Sequence, residues 1–214
     1  SGVNGSVIRN TRTRWRKKRE RANYCYLIFT SGSTGEQKGV LIAVKSYLSY
    51  MNWVNTYFER HASNKALLVT AELTFDITLG DIAFAIVHDA AIHVSPDPKN
   101  IFWHAKLISE RRIDTFYSVP STITRLFTWV ESRDDVAFES LKLVVSGGDS
   151  FPPALIETVT RVCPHAEFHN VYGPTEVTIN CFATRVDNLM GKIEDNGNLV
   201  PIGLPFPHLE TTLL

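Results

Sequence analysis

The chain has 214 residues, 44% of them hydrophobic, and its 22 lysines and arginines balance 22 aspartates and glutamates. That supplies apolar material for one sizeable core or two small ones and excludes a disordered or low-complexity chain. Three cysteines, Cys25, Cys163 and Cys181, suit neither a zinc-binding nor a disulfide framework, and no apolar run approaches the roughly 18 residues of a membrane span.

The zero net charge hides an asymmetry. Eight basic residues lie between Arg9 and Arg21 against the single acid Glu20, so the chain after Arg21 carries a net charge of −7. Basic runs can hold a phosphate backbone and Trp15 could stack on a base. This run is short, lacks hydrophobic periodicity and ends where the first strand begins. Residues 1–23 therefore read as a solvated arm or linker, and nucleic acid is not an expected partner. The cysteine usage and the lack of a signal sequence or membrane span make a soluble protein in a reducing cytoplasm the expectation.

Residues 24–30 predict a strand, with Cys25 read as core packing, and residues 31–39 a glycine-rich loop. Residues 45–60 predict a helix, because Tyr47, Tyr50, Met51, Val54 and Phe58 recur at three- and four-residue steps. A strand at 66–70, a helix at 76–88 and a strand at 91–95, halted by Pro96 and Pro98, follow. Next come a helix at 101–112, a strand at 115–119 and a helix at 121–131 with Ile123, Leu126, Phe127 and Val130 on one face. A strand at 141–145, a helix at 153–162 and strands at 167–171, 178–186 and 209–214 complete the reading. The alternation predicts an α/β fold, a largely parallel sheet flanked by helices. Such sheets bind ligands at the carboxyl ends of their strands, and three of these strands run straight into polar, glycine-bearing loops. The apolar run at 209–214, with no polar tail after it, reads as a strand cut at its edge, hence a piece of something longer.

The first such loop is Thr30-Ser31-Gly32-Ser33-Thr34-Gly35-Glu36-Gln37-Lys38-Gly39. Its glycines let the backbone turn tightly, its hydroxyls and amides make an anion nest, and Lys38 adds a mobile positive charge. This points to polyphosphate, although a Ser/Gly surface turn would have a similar composition. Neither the Walker pattern nor the dinucleotide fingerprint is present.

The ten residues resemble the phosphate-loop signature of the adenylate-forming, AMP-binding superfamily: adenylation domains of nonribosomal peptide synthetases, acyl-CoA synthetases and luciferases. Gln37 departs from the proline usual before the lysine, which leaves the loop less preorganised by about 0.4–1 kcal/mol. Asn170-Val171-Tyr172-Gly173-Pro174-Thr175-Glu176 resembles the superfamily's adenine- and metal-binding motif. Val144-Val145-Ser146-Gly147-Gly148-Asp149 resembles its purine wall, and Pro201-Ile202-Gly203-Leu204-Pro205 the segment before its ribose site. The resemblance covers residues 24–214, a partial adenylation core. It implies ATP contacts from Thr30, Ser31, Gly32, Ser33, Thr34, Gly35, Lys38 and Gly39, and from Gly147, Gly148, Asp149, Asn170, Tyr172, Gly173 and Thr175. Tyr172 would offer a flat face to adenine, and Glu176 a hard oxygen ligand for Mg²⁺.

Leu73-Thr74-Phe75-Asp76-Ile77-Thr78 resembles the Phe-Asp signature of amino-acid adenylation domains, where the aspartate pairs with the substrate's α-ammonium group. The plainer reading is that Asp76 caps the helix it opens. Carried over position by position, the side-chain pocket would be lined by Ile77, Gly80, Tyr117, Val144, Ser146, Val171, Ile179 and Asn180. Gly80 would leave room for a medium or large side chain. The implied reaction forms aminoacyl-AMP and pyrophosphate from an amino acid and Mg·ATP. The phosphopantetheine thiol of a carrier protein then displaces AMP. Stand-alone ligase and domain of a multi-enzyme are both compatible. An acyl- or aryl-acid CoA ligase and a non-catalytic nucleotide-binding fragment are the alternatives. No catalytic residue is assigned within the chain, because the family's ribose-binding aspartate and the catalytic lysine of its C-terminal subdomain would fall beyond Leu214.

Overall fold

The computed structural model describes residues 23–31, 37–133, 135–189 and 200–212. The main sheet comprises β3 (Ala66–Val69), β4 (Ala91–Val94), β5 (Thr115–Ser118), β6 (Leu143–Ser146), β7 (Glu167–Tyr172), β8 (Phe182–Arg185) and β9 (Leu204–Pro205). Their order is β4-β3-β5-β6-β7-β8-β9. The first five run parallel, and β8 and β9 return antiparallel. Before them, β1 (Tyr24–Ser31) and β2 (Gln37–Ala43) pair as a separate antiparallel ribbon.

Among the described residues five helices cover the sheet: α1 (Val44–Tyr57), α2 (Ile77–His88), α3 (Ile101–Glu110), α4 (Pro120–Glu131) and α5 (Ala154–Val162). Local chemistry sets their ends. The Asn100 side chain accepts the Phe102 N–H and caps α3. Pro120, with its fixed φ and missing N–H, opens α4. Because side chains alternate along a strand, the sheet builds two cores. On one face Ile108, Ile123, Leu126, Phe127 and Leu155 of α3, α4 and α5 pack on Leu68, Phe116, Val144 and Phe168. On the other, Tyr50, Trp53, Val54 and Phe84 of α1 and α2 pack on Leu67, Tyr117, Val145 and Val171.

Four expectations are corrected. Gln37, Lys38 and Gly39 belong to β2 rather than to a loop, since they pair with Ser31, Thr30 and Phe29. Cys25 is exposed: the ribbon buries Ile28 on one face, while Leu27 and Phe29, in alternation with it, stay half exposed on the other. The strand expected at 178–186 shrinks to β8, because Thr178 and Ile179 both adopt left-handed backbone angles that break extension. Residues 209–212 form no strand, and Leu209 instead closes a turn on the Phe206 carbonyl. The basic run from Arg9 to Arg21 lies outside the described residues. Among the described residues no helix is long and apolar enough to cross a membrane.

Candidate active site

The chain steps outward from β3 to β4, then returns to place β5 on the other side of β3. This reversal opens a crevice at the carboxyl ends of β3 and β5, where open α/β sheets bind ligands. The Thr70 and Ser118 hydroxyls, just past β3 and at the end of β5, meet across it at 3.1 Å. Register places Ser118 beside Ser146, and Ser146 beside Asn170. The loops after β3, β5, β6 and β7 therefore share one edge. They carry Asp76, Val119, Gly147 to Asp149, and Gly173 to Glu176.

Tight chain packing sets the glycines here. A Cβ on Gly147 would lie 2.7 Å from Val171 Cγ2, and one on Gly173 2.5 Å from Asn180 Cα. Gly148 differs: it has open space around it but a φ of +87° that side chains rarely adopt. Asn170 Nδ2 donates to the Pro201 carbonyl at 3.1 Å, tying the β7 motif to the proline-glycine segment that leads into β9. Asp149 is exposed and accepts the Ser150 N–H at 2.7 Å. The Tyr172 ring is half exposed beside Phe182.

After Pro174 a 3-10 turn, Thr175–Val177, carries Glu176 into solvent. Thr178 and Ile179 follow at φ of 70° and 71°. Two consecutive β-branched residues in the left-handed region are costly, and such strain gathers at functional sites. The turn is what brings Ile179 and Asn180 back over the crevice.

Asp76 precedes α2 but makes no side-chain cap, so the plainer reading is not realised. Its carboxylate is half buried, with Oδ2 lacking any hydrogen-bond partner. Burial raises its pKa above the usual carboxylate range, Thr175 and the Asp76 and Ile77 backbone oppose this, and the Glu176 charge adds to it. The loop after β3 and the turn after β7 therefore bring two acids and a threonine hydroxyl together.

Between α1, α2, β5 and the turn after β7 lies a cavity of about 20 Å³, room for one water. Gly80, Tyr117, Val171 and Asn180 line it. Asn180 Nδ2 donates to Tyr117 Oη at 2.9 Å and to Tyr50 Oη at 3.4 Å. Ile77 and Ile179 are buried in the surrounding core. Val144 is not part of this lining: it faces the opposite core, and Val145 takes its place, because neighbouring strand residues point to opposite faces. Ser146 is fully buried and its hydroxyl has no partner.

The room expected at Gly80 is also taken. A Cβ there would lie 3.0 Å from Tyr50 Oη and 3.3 Å from the Tyr117 ring. Sequence reasoning assigned Tyr50 only to the packing face of α1. It also missed Asp81, which is 1% exposed, lines the same cavity and has no partner for either oxygen. Burial holds its pKa well above the usual range. The available signal was an acid inside an otherwise apolar helix.

In the ribbon, Thr30 lies opposite Lys38, which is exposed, and Ser31 opposite Gln37. Gly39 admits the Leu27 and Phe29 side chains, 3.1 and 3.3 Å from where its Cβ would be. Strand β2 packs against the 3-10 turn that bears Glu176. The lysine strand and the acid therefore border one region. Gly32, Ser33, Thr34 and Gly35 lie outside the described residues.

Residues 5–214 match the family described as AMP-binding enzyme. Surfactin synthase subunit 2 of Bacillus subtilis is 31% identical over 170 residues, 77% of this chain but 5% of that protein. The L-proline--[L-prolyl-carrier protein] ligase of Streptomyces coelicolor is 31% identical over 193 residues, 88% of this chain and 35% of the ligase. The AMPPNP-bound form of the nonribosomal peptide synthetase FmoA3 superposes with a TM-score of 0.76 at 26% identity, over 86% of this chain and 19% of that one. The chain thus spans a small part, at most about a third, of the length of these proteins.

Proposed function

Because this chain belongs to the AMP-binding enzyme family, whose members form adenylates, we propose that it carries the nucleotide and amino-acid surfaces of an enzyme that joins an amino acid's carboxylate to AMP. Residues 24–214 would be a partial adenylation core and residues 1–23 an arm ahead of it. The observation that carries the reading is Asp76. A half-buried carboxylate with an unpartnered oxygen, just ahead of the helix whose Gly80 and Asp81 line a small and mostly apolar cavity, suits an α-ammonium group. An ammonium partner offsets the desolvation that raises its pKa. A fatty or aryl acid offers no such partner, so the CoA-ligase alternative is disfavoured.

In this reading Lys38 and the loop amides hold the β- and γ-phosphates as pyrophosphate departs. Tyr172 presents its exposed ring to adenine, and Asn170, Thr175 and the glycine turns of Gly147, Gly148 and Gly173 shape the surface between. Asp149 stands exposed at its edge. Ile77, Gly80, Val171, Ile179, Asn180, Tyr117 and Tyr50 bound the side-chain cavity, and its size favours a small side chain. Glu176 fits Mg²⁺: it is an exposed hard oxygen donor close enough to Asp76 to raise that group's pKa. A bound Mg²⁺ would supply charge neutralisation for the leaving pyrophosphate. The chain's own contribution is positioning and fixed charge, which dominate phosphoryl-type transfer. The activated acyl group would then pass to the phosphopantetheine thiol of a carrier protein.

ATP–pyrophosphate exchange on the complete protein, across a panel of amino acids and their des-amino analogues, tests the reading. Exchange with amino acids alone is expected. Exchange supported equally by des-amino acids would overturn it.

A further inference from the structure

At the opposite edge of the sheet, where β7 begins, a second polar cluster stands apart from the nucleotide surface. Glu167 opens β7, His169 follows two residues on, and His61 comes from the 3-10 turn Glu59–His61 after α1. Arg185 Nη1 donates to Glu167 Oε1 at 2.5 Å and leaves Oε2 free to face inward. Both imidazoles meet that one oxygen, His61 Nε2 at 3.0 Å and His169 Nε2 at 3.3 Å. The two histidines are buried, and Glu167 retains 21% exposure.

We propose that His61 Nε2, Glu167 Oε2 and His169 Nε2 form a binding site for a transition-metal dication, Zn²⁺ by preference. The three donor atoms lie within 4.8 Å of one another. Bonds of about 2.0–2.1 Å from a four-coordinate zinc hold neighbouring donors roughly 3.3 Å apart, so the two histidine–carboxylate spacings already lie within a few tenths of an ångström of that, and the two imidazole nitrogens, within 4.8 Å, would draw together on the ion. Two imidazoles and one carboxylate suit zinc and cobalt far better than Mg²⁺, which prefers oxygen and water. The fourth position falls to water, reached past the partly exposed Glu167.

The surrounding groups support the assignment. Metal-bound imidazoles donate their other nitrogen to an acceptor that fixes the ring. When zinc occupies Nε2, the proton sits on Nδ1, and His169 Nδ1 faces Tyr57 Oη at 3.1 Å. His61 Nδ1 faces the Asn64 amide at 3.5 Å. Asn64 is fully buried, yet its carbonyl oxygen has no partner. Turning that amide over presents an acceptor to His61 in exchange for its donation to Thr115 Oγ1 at 2.9 Å and to the Asp114 carbonyl at 3.4 Å, and the Thr115 hydroxyl can donate to the turned oxygen instead. Asp187 holds Arg185 through three further contacts, at 2.9, 3.0 and 2.7 Å, which steadies the guanidinium that orients Glu167. With neutral imidazoles the cluster carries two carboxylates and one guanidinium, a net charge that favours a dication. The ion would tie the end of α1 to the first residues of β7, far from the Glu176 edge.

The purified chain, stripped by dialysis against chelator, is titrated with Co²⁺ as a visible probe for Zn²⁺. Expected are one equivalent of four-coordinate cobalt absorption, its displacement by Zn²⁺ but not by Mg²⁺, and a higher melting temperature with zinc. Glu167→Gln should weaken cobalt binding by about tenfold or more. As a readout that needs no variant, imidazole ¹⁵N spectra should show zinc moving two of the seven histidines from the Nε2–H to the Nδ1–H form. Six-coordinate or absent cobalt absorption, wild-type affinity in Glu167→Gln, or unmoved imidazoles would each overturn the site.

Discussion

The two faces of one sheet have been put to different uses. The face covered by α3, α4 and α5 is built from Phe116, Phe127, Phe138 and Phe168 with Leu126, Ile123 and Ile108, all nearly or fully buried. The face covered by α1 and α2 mixes aromatic rings with Asp81, Asn180, Tyr50 and Tyr117. Apolar burial contributes roughly 25 cal/mol per Å² wherever it occurs, whereas an unpartnered buried polar group costs about 1–3 kcal/mol. The first face also buries His104 with both ring nitrogens unpartnered, but the second gathers Asp81 with the Asn180, Tyr50 and Tyr117 cluster and so gives up more of its stability.

Truncation on the dry face should have the largest effect. Phe168→Ala removes a fully buried ring beside Phe151 and should cost about 3–5 kcal/mol of stability. Denaturant melts would show it as a lower midpoint, and a loss below 1 kcal/mol would break the comparison. On the other face, Asp76→Asn should remove about 3–5 kcal/mol of discrimination between amino acids and des-amino analogues. Its stability should hardly change, since Asp76 caps nothing. Pyrophosphate exchange and a melt on the same variant of the complete protein separate the two quantities.

Lys38→Ala should weaken ATP use by about 1.5–3 kcal/mol, roughly ten- to a hundredfold, while amino-acid binding holds. An unchanged KM and kcat for ATP would remove Lys38 from the site. The smallest effect is expected at Asp81. Burial raises its pKa, so the folded chain holds the proton more tightly than the unfolded one. Its stabilising contribution is complete below about pH 4, the unfolded carboxyl value, and is lost as pH rises toward the folded pKa. The hydroxyls of Tyr50 and Tyr117 face it from α1 and β5. Asp81→Asn should remove this slope and raise the melting temperature at neutral pH by about 2–4 °C. A melting temperature that falls at neutral pH, or a slope that survives, would show that Asp81 is held charged.

Much of the fold was legible because long periodic segments announce themselves. The 3.6-residue pattern of Ile123, Leu126, Phe127 and Val130 predicted α4, and each is buried as expected. Short pieces were less legible. Strand β2 begins Gln-Lys-Gly, which reads as turn chemistry until pairing with β1 satisfies its backbone. The two-residue β9 has no periodicity to detect. In the site, spacing alone could not tell Val144 from Val145, because a one-residue step reverses the face a strand side chain occupies.

What the sequence determined by itself was the alternation of elements and the order of the motifs, since both depend on neighbours close along the chain. Hydrophobic period, capping residues and glycine turns act within a few residues. Only the tertiary structure decided which distant groups meet. Tyr50 fills the space beside Gly80 from 30 positions earlier in the chain. The left-handed pair Thr178 and Ile179 folds Asn180 back onto Tyr117. His61 reaches Glu167 across 106 residues. Such contacts depend on strand order and helix packing, whose loop-closure entropy and burial belong to the whole chain and leave no mark on any local stretch of it.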